Sequence, residues 1–361
     1  MTNNIKIWLA AAGMFIVLGS VLFLITACSA DSGFAGLFGT EGVETEANVT
    51  EDFSKIDIST DTADISFVQT SDGSCKVVSN DKKNIKYSVK AEDGILKINS
   101  VDERRWYEHV LNFTKASLTV YLPKSKYDSL TIKEATGDIN VPTYFEFLNA
   151  DIKLSTGDVN YYAKTLESLT VKSSTGNIKI EGENKGTVTA EASTGKIYVN
   201  GAICAGDIMV KVSTGDMVIA NSSCKGLISN GSTGDFKAEN VTVAENVQIE
   251  RSTGKTELIN LSCANLNTDG STGNLYMTNV IASGSFTIER STGNVRFDGC
   301  DAKDIYVKTD TGSVKGTLLT EKLFAPRSDT GKIETPKPSG TGACDITTDT
   351  GDIIIYVSLI F

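Results

Sequence analysis

Few residues in this 361-residue chain could do chemistry, and most of those recur at fixed spacing. Asp310, Asp329 and Asp349 each stand two places before a glycine in successive copies of one short motif. Stacked about 4.8 Å apart, neighbouring carboxylates would repel by about 0.9 kcal/mol even in water, and a bound Ca²⁺ would relieve that. The plainer reading is a set of turn acceptors fanned toward solvent, with Lys332 nearby. Calcium is the single cofactor the sequence leaves open, although the nonapeptide pattern of calcium-binding β-rolls is absent. Arg251 and Arg290 stand three places before their glycines, with Gly231 and Gly270 at that position in the alternating copies. Glu250, Asp269 and Glu289 form the adjoining column. Such a face either grips a glycan or an anionic polymer, or is a solvated surface of weak ion pairs. Trp106-Tyr107, near His109, is either a sugar-stacking platform or a packed pair of core residues.

What is missing narrows the chemistry further. His109 is the one histidine, which removes His-rich metal sites and argues against a Ser-His-Asp triad. No Cys-x-x-Cys pair occurs, which argues against zinc. With 34 Lys+Arg against 45 Asp+Glu, the net charge is -11. Such a surface repels phosphate backbones, so nucleic acid is not an expected partner.

The elements that must position these residues follow from a repeat. Thr-Gly recurs twelve times between Gly137 and Gly351, at spacings of 19 or 20 residues. Thr341-Gly342 falls out of register and reads as loop. Counting each glycine as zero, positions +2 and +4 are mostly apolar, as in Ile197/Val199 and Ile353/Ile355. Further apolar pairs fall at +7/+9, as in Val241/Val243, and near +12/+14, as in Val247/Ile249. Three short strands per repeat, with no room for a helix, predict an all-β parallel β-helix of about 12 rungs, right-handed by extension of the crossover rule. Position +6 holds Gly182, Gly201, Asn221, Asn240, Asn260, Asn279 and Gly299, residues that tolerate a left-handed corner. Stacked asparagines there can form a ladder. Serine or aspartate before each Thr-Gly reads as the acceptor for a backbone N–H at the corner. Cys204, Cys224 and Cys263 share +9, and the first two lie close enough for a disulfide if stacked; filling a narrow core as buried thiols explains all three.

Residues 136–361 therefore form the solenoid and 51–135 a β-rich N-terminal cap, with Thr62-Ala63-Asp64-Ile65 a decayed copy of the corner motif. The chain stops just after Ile353-Ile354-Ile355, so the last strand either packs on the preceding rung or offers an apolar edge to a partner. Ahead of the cap, residues 29–50 read as a tether. Residues 7–28 carry no charge and in a helix would reach about 33 Å, enough to cross a membrane. Lys6 before them and acids after them place residues 1–6 in the cytoplasm and the bulk outside. Ile25-Thr26-Ala27-Cys28 also fits a lipobox, which would make the chain a lipoprotein acylated at Cys28.

The serial Ser-Thr-Gly-Asp/Asn-Ile/Val turns, preceded by Ser117-Leu-Thr-Val-Tyr-Leu-Pro123 and Ser129-Leu-Thr-Ile132, resemble the bacterial putative-adhesin family across residues 51–361. That is a domain-of-unknown-function family of β-strand-repeat proteins, common in Gram-positive bacteria and often behind a membrane helix. The resemblance implies a non-enzymatic, membrane-anchored surface adhesin with a glycan, wall polymer or surface protein as partner, and it supplies no catalytic residues. A cell-envelope scaffold or stress sensor acting through membrane partners is the second reading. A polysaccharide-active enzyme is the third, resting on fold analogy alone.

Overall fold

The computed structural model describes residues 43–81, 85–102 and 116–358. The apolar segment 7–28 with Cys28, and the cluster of Trp106, Tyr107 and His109, lie outside the described residues. Among the described residues, no helix is long and apolar enough to cross a membrane.

These residues form an all-β parallel solenoid in which the Thr-Gly corners bracket about 11 turns. In each turn a strand runs into the corner and a second leaves it. Thr187–Thr194 approaches Gly195, Ile197–Asn200 departs, and Ile208–Thr214 begins the next approach. Strands pair in parallel with threonine upon threonine: Thr175 on Thr194, Thr194 on Thr214, Thr233 on Thr253. One side chain per pair points inward, as the period of two demands. Val188, Ala190, Ile197 and Val199 are buried, while Lys211 and Thr194 are exposed. The +7/+9 residues are buried too, and in later turns they join the departing strand into one, as in Phe236–Val243 and Thr256–Cys263.

The six described cysteines are all buried and unbonded, Cys204, Cys224 and Cys263 at the inward +9 position. Burial pushes the Cys204 thiol up to about 12 and the Cys224 thiol up to about 11, so both serve as protonated core filler. At the opposite corner the asparagine ladder is present. Asn221, Asn240, Asn260 and Asn279 have φ of 48°, 55°, 52° and 53°. Each amide donates to the side-chain carbonyl one turn earlier, at 2.8–3.0 Å, and the ladder starts from Asn200.

At the N-terminal end the stacking register continues below residue 135. Lys55–Thr62 pairs in parallel with Lys126–Thr136, and Asp64–Gln69 with Ile139–Val141. Thr62-Ala63 is therefore a working corner. The Gly137 corner rests on its carbonyl, but no Thr-Gly corner lies beneath Ala63, so alanine suffices there. Beyond it both faces end in antiparallel strands: Ile85–Glu92 on Ile95–Asp102, and Val43–Val49 on Cys75–Asp81. The stretch read as a tether thus ends earlier than residue 50. Val49 packs against the core while Glu44 and Glu46 line an outer edge, a placement of charge that discourages further pairing.

The C-terminal end departs from simple stacking. Gly342–Thr350 pairs on one side with Val295–Thr311 and on the other with Lys322–Thr330. Ile353–Val357 likewise lies between Val314–Leu318 and Ile333–Glu334. The last turn is inserted beneath the one before it. Physically, this order encloses the more apolar strand: Ile353 and Ile355 are fully buried, and the shorter Ile333–Glu334 takes the edge. Of the two outcomes the sequence left open, the last strand packs within the chain, though between two strands and not at the end of the stack.

A candidate binding groove

Three columns of side chains run along the rod just before the Thr-Gly corners. Four places before the glycine the side chains are long and face outward. Three places before, they face inward and are mostly small. Two places before stands an exposed serine from Ser155 to Ser291, and an exposed aspartate in the last three copies. Between the outer columns runs a groove of about 750 Å³ extending from Ser59 to Ser213. Its floor holds Thr60, Glu134, Leu154, Ser173 and Ala192, and one wall carries Lys133, Lys153, Lys172, Glu191 and Lys211 on consecutive turns. The other wall carries Ser155, Ser174, Ser193 and Ser213.

Those serines were expected to close the corners. Instead the residue after most of the glycines, an aspartate, asparagine or serine, does so, its side chain accepting a backbone N–H from the neighbouring turn. Asp158 N–H donates to Asp138 Oδ1 at 2.9 Å, Asn177 N–H to Asp158 Oδ1 at 2.7 Å, and Lys196 N–H to Asn177 Oδ1 at 2.9 Å. The serine hydroxyls are left exposed along the groove. Of the lysines, Lys153 pairs with Asp151 at 2.9 Å and Lys172 with Glu191 at 3.0 Å. Lys133 and Lys211 have no ion-pair partner among the described residues. Farther along, the same outward column changes sign to Glu250, Asp269 and Glu289.

A repetitive solenoid of this kind has matches among known proteins. The family model described as Toastrack DUF4097 matches residues 53–185 and 182–356. The chain belongs to the Toastrack DUF4097 family. No curated protein matches it. Among solved structures, a "putative adhesin" from Bacteroides fragilis is 14% identical, with 88% of this chain and 98% of that one covered and a TM-score of 0.24. A "putative lipid binding protein" from Parabacteroides distasonis is 14% identical over 78% of this chain and 98% of that one, with a TM-score of 0.32. A "putative cell adhesion protein" from Clostridium sporogenes is 10% identical over 88% and 100%, with a TM-score of 0.19. Likeness at that level says nothing about ligands.

Among the described residues of this Toastrack solenoid, the carboxyl shifted furthest is that of Glu134, which the sequence reading passed over. It occupies the inward column, where the next four turns carry Leu154, Ser173, Ala192 and Val212, and it is 4% exposed. Thr60 Oγ1–H donates to Oε2, and the N–H groups of Ala63 and Thr136 donate to Oε1 at 3.2 Å each. Burial outweighs those donors and pushes its carboxyl up to about 8. The folded protein therefore keeps a proton that the unfolded chain releases above about pH 4.5. Stability is full below that value and falls as pH rises toward 8, by on the order of 5 kcal/mol in all. Urea unfolding at pH 5 and pH 9 checks this: E134Q should abolish most of that difference, while an undiminished slope in E134Q would refute the assignment.

Arg251 and Arg290 are not part of an open face. They are 3% and 4% exposed, in the same inward column as Glu134. Each guanidinium folds over the glycine of the preceding turn, so that a Cβ at Gly231 or Gly270 would collide with it. The Arg-Gly alternation is thus a packing device. Arg251 Nη2–H also donates to the Gly234 carbonyl, bracing that corner from inside. Burial pushes Arg290 down to about 10, with Asp269 opposing the shift. Glu250 and Asp269 do line a hollow of about 340 Å³ with Arg251, whereas Arg290 and Glu289 lie outside it.

The three aspartates do lie on adjacent strands, in the spatial order Asp310, Asp349, Asp329. All are exposed, and among the described residues no group of three or more His, Cys, Asp or Glu could hold a metal ion.

Proposed function

We propose that this chain is a non-enzymatic surface adhesin: a stiff rod, wound right-handedly as the crossover rule favours, that holds an extended partner along its lateral groove. The observation that carries the reading is the groove itself, which crosses several turns and offers repeated lysines and hydroxyls. Repetition at a fixed rise suits a repetitive partner better than a compact substrate. Residues 7–28 anchor the rod, as a membrane helix or through an acylated Cys28, and leave the solenoid outside the cell. Glycans, wall polymers and surface proteins are its candidate partners. The names of the adhesin-like solved structures agree with this role.

The test uses the full-length chain in detergent micelles on an array of glycans, wall polymers and matrix proteins, with and without calcium. Saturable binding with no depolymerisation of the bound polymer is expected. Release of shortened polymer would replace the adhesin with an enzyme, and a blank array would remove the adhesive role.

A further inference from the structure

Resting on that reading, the geometry points to a linear acidic polysaccharide, with carboxylates on successive sugars, as the ligand class of the groove. The outward column is segregated by charge. Lys133, Lys153 and Lys172 stack on consecutive turns, Glu191 interrupts, and Lys211 follows. Four steps of about 4.8 Å make a cationic track of about 19 Å on a chain whose net charge is -11. The acids Glu250, Asp269 and Glu289 then begin, and they set the far limit of an anionic ligand.

Neighbouring lysines repel one another, and an anion along the track offsets that repulsion. The acids facing the track are Asp61, Asp151, Glu134 and Glu191. Glu134 keeps its proton to about pH 8, Asp151 and Glu191 already neutralise Lys153 and Lys172, Asp61 stands at the Lys133 end of the groove, and Lys133 and Lys211 have no ion-pair partner among the described residues. Lys153 and Lys172 also border a second hollow of about 310 Å³ on the same face, so each can reach to either side.

Charge alone would suit many anions. The opposite wall favours a sugar. Ser155, Ser174, Ser193 and Ser213 repeat at the same rise as the lysines, and one pyranose ring is about as long as one turn is high. At the turns of Lys153, Lys172 and Lys211, which also carry Ser155, Ser174 and Ser213, a sugar can then place a carboxylate toward the lysine and a hydroxyl toward the serine. Lysine, a flexible point charge, suits such a track better than a fixed fork would.

Binding of a fluorescent oligogalacturonate to the full-length chain tests this, with its methyl ester and a polyphosphate of matched length as the other probes. The oligogalacturonate should bind saturably and weaken as salt rises. The methyl ester should bind at least about tenfold more weakly, as should K153E/K172E toward the oligogalacturonate, while K225E, distant from the groove, should bind like the parent. Thermal melts of the variants establish that they fold. Equal binding of ester and acid, equal binding by K153E/K172E, or tighter binding of polyphosphate would each overturn the proposal. A neutral glycan held in the groove would overturn the carboxylate assignment and leave the adhesive reading standing.

Discussion

Gly234→Ala is expected to break the rod in its middle. Gly234 has φ of 125°, and a Cβ there would press into the carbonyl oxygen of Gly215 one turn earlier. The obstacle is backbone, so no rotamer change relieves it. The threonine-on-threonine register of the flanking strands also leaves little room to shift. Strain and overpacking together should cost about 4 kcal/mol or more. In a stack where each turn touches only its neighbours, that loss opens the solenoid locally and spreads to both sides. Gly201→Asn is the matched control. Gly201 also has positive φ, at 74°, but nothing lies within 4 Å of its Cβ position, and asparagine holds the equivalent corner in the next turns. Urea unfolding followed by circular dichroism should show a large loss for the first variant and a change within about 0.5 kcal/mol for the second.

Ile353→Asp should release the last two turns together. Ile353 is fully buried between Val314 and Ile333, and an unpaired carboxylate there should cost about 4 kcal/mol or more. Among the described residues, the strand-ladder partners of 322–334 lie within 342–357. Expelling the inserted strands therefore strips Lys322–Thr330 of its ladder as well. Lys322, nearly buried, would remain tied by its ion pair with Asp301 at 2.9 Å and its hydrogen bond to the Ala302 carbonyl. Hydrogen exchange read by mass spectrometry should show 322–357 losing protection as one unit while the turns up to Thr292, which the inserted strands do not touch, keep theirs. Protection retained at 322–334 would mean that the last turns stack in chain order.

Much of this architecture was legible because one corner repeats. Its spacing gave the turn length, the apolar pairs gave the inward faces, and asparagine at +6 gave the ladder. The order of the last turns was not legible, because Asp310, Asp329 and Asp349 sit in copies with identical corner register. What separates the two orders is the apolarity of Ile353–Val357 against Ile333–Glu334, an energetic comparison between strands that a local pattern does not contain. The arginines misled for a different reason. Charge suggested an outward face, yet Leu154, Ala192 and Val212 at the same position mark that column as inward. The same column would have exposed Glu134 as an acid in a core position. The serines were assigned to the corner because their type suits turns, but the side chain after the glycine was better aimed at the next turn's N–H. That reassignment is what freed a row of hydroxyls for the groove.

The central claim is that the rod works through this groove. Amine-reactive footprinting of the full-length chain, free and bound to isolated cell envelopes, tests it most directly. Protection concentrated at Lys133, Lys153, Lys172 and Lys211, with Lys225, Lys237 and Lys255 labelled equally in both states, is the predicted result. Protection of the second group with the first left reactive would place the working surface elsewhere and contradict the account.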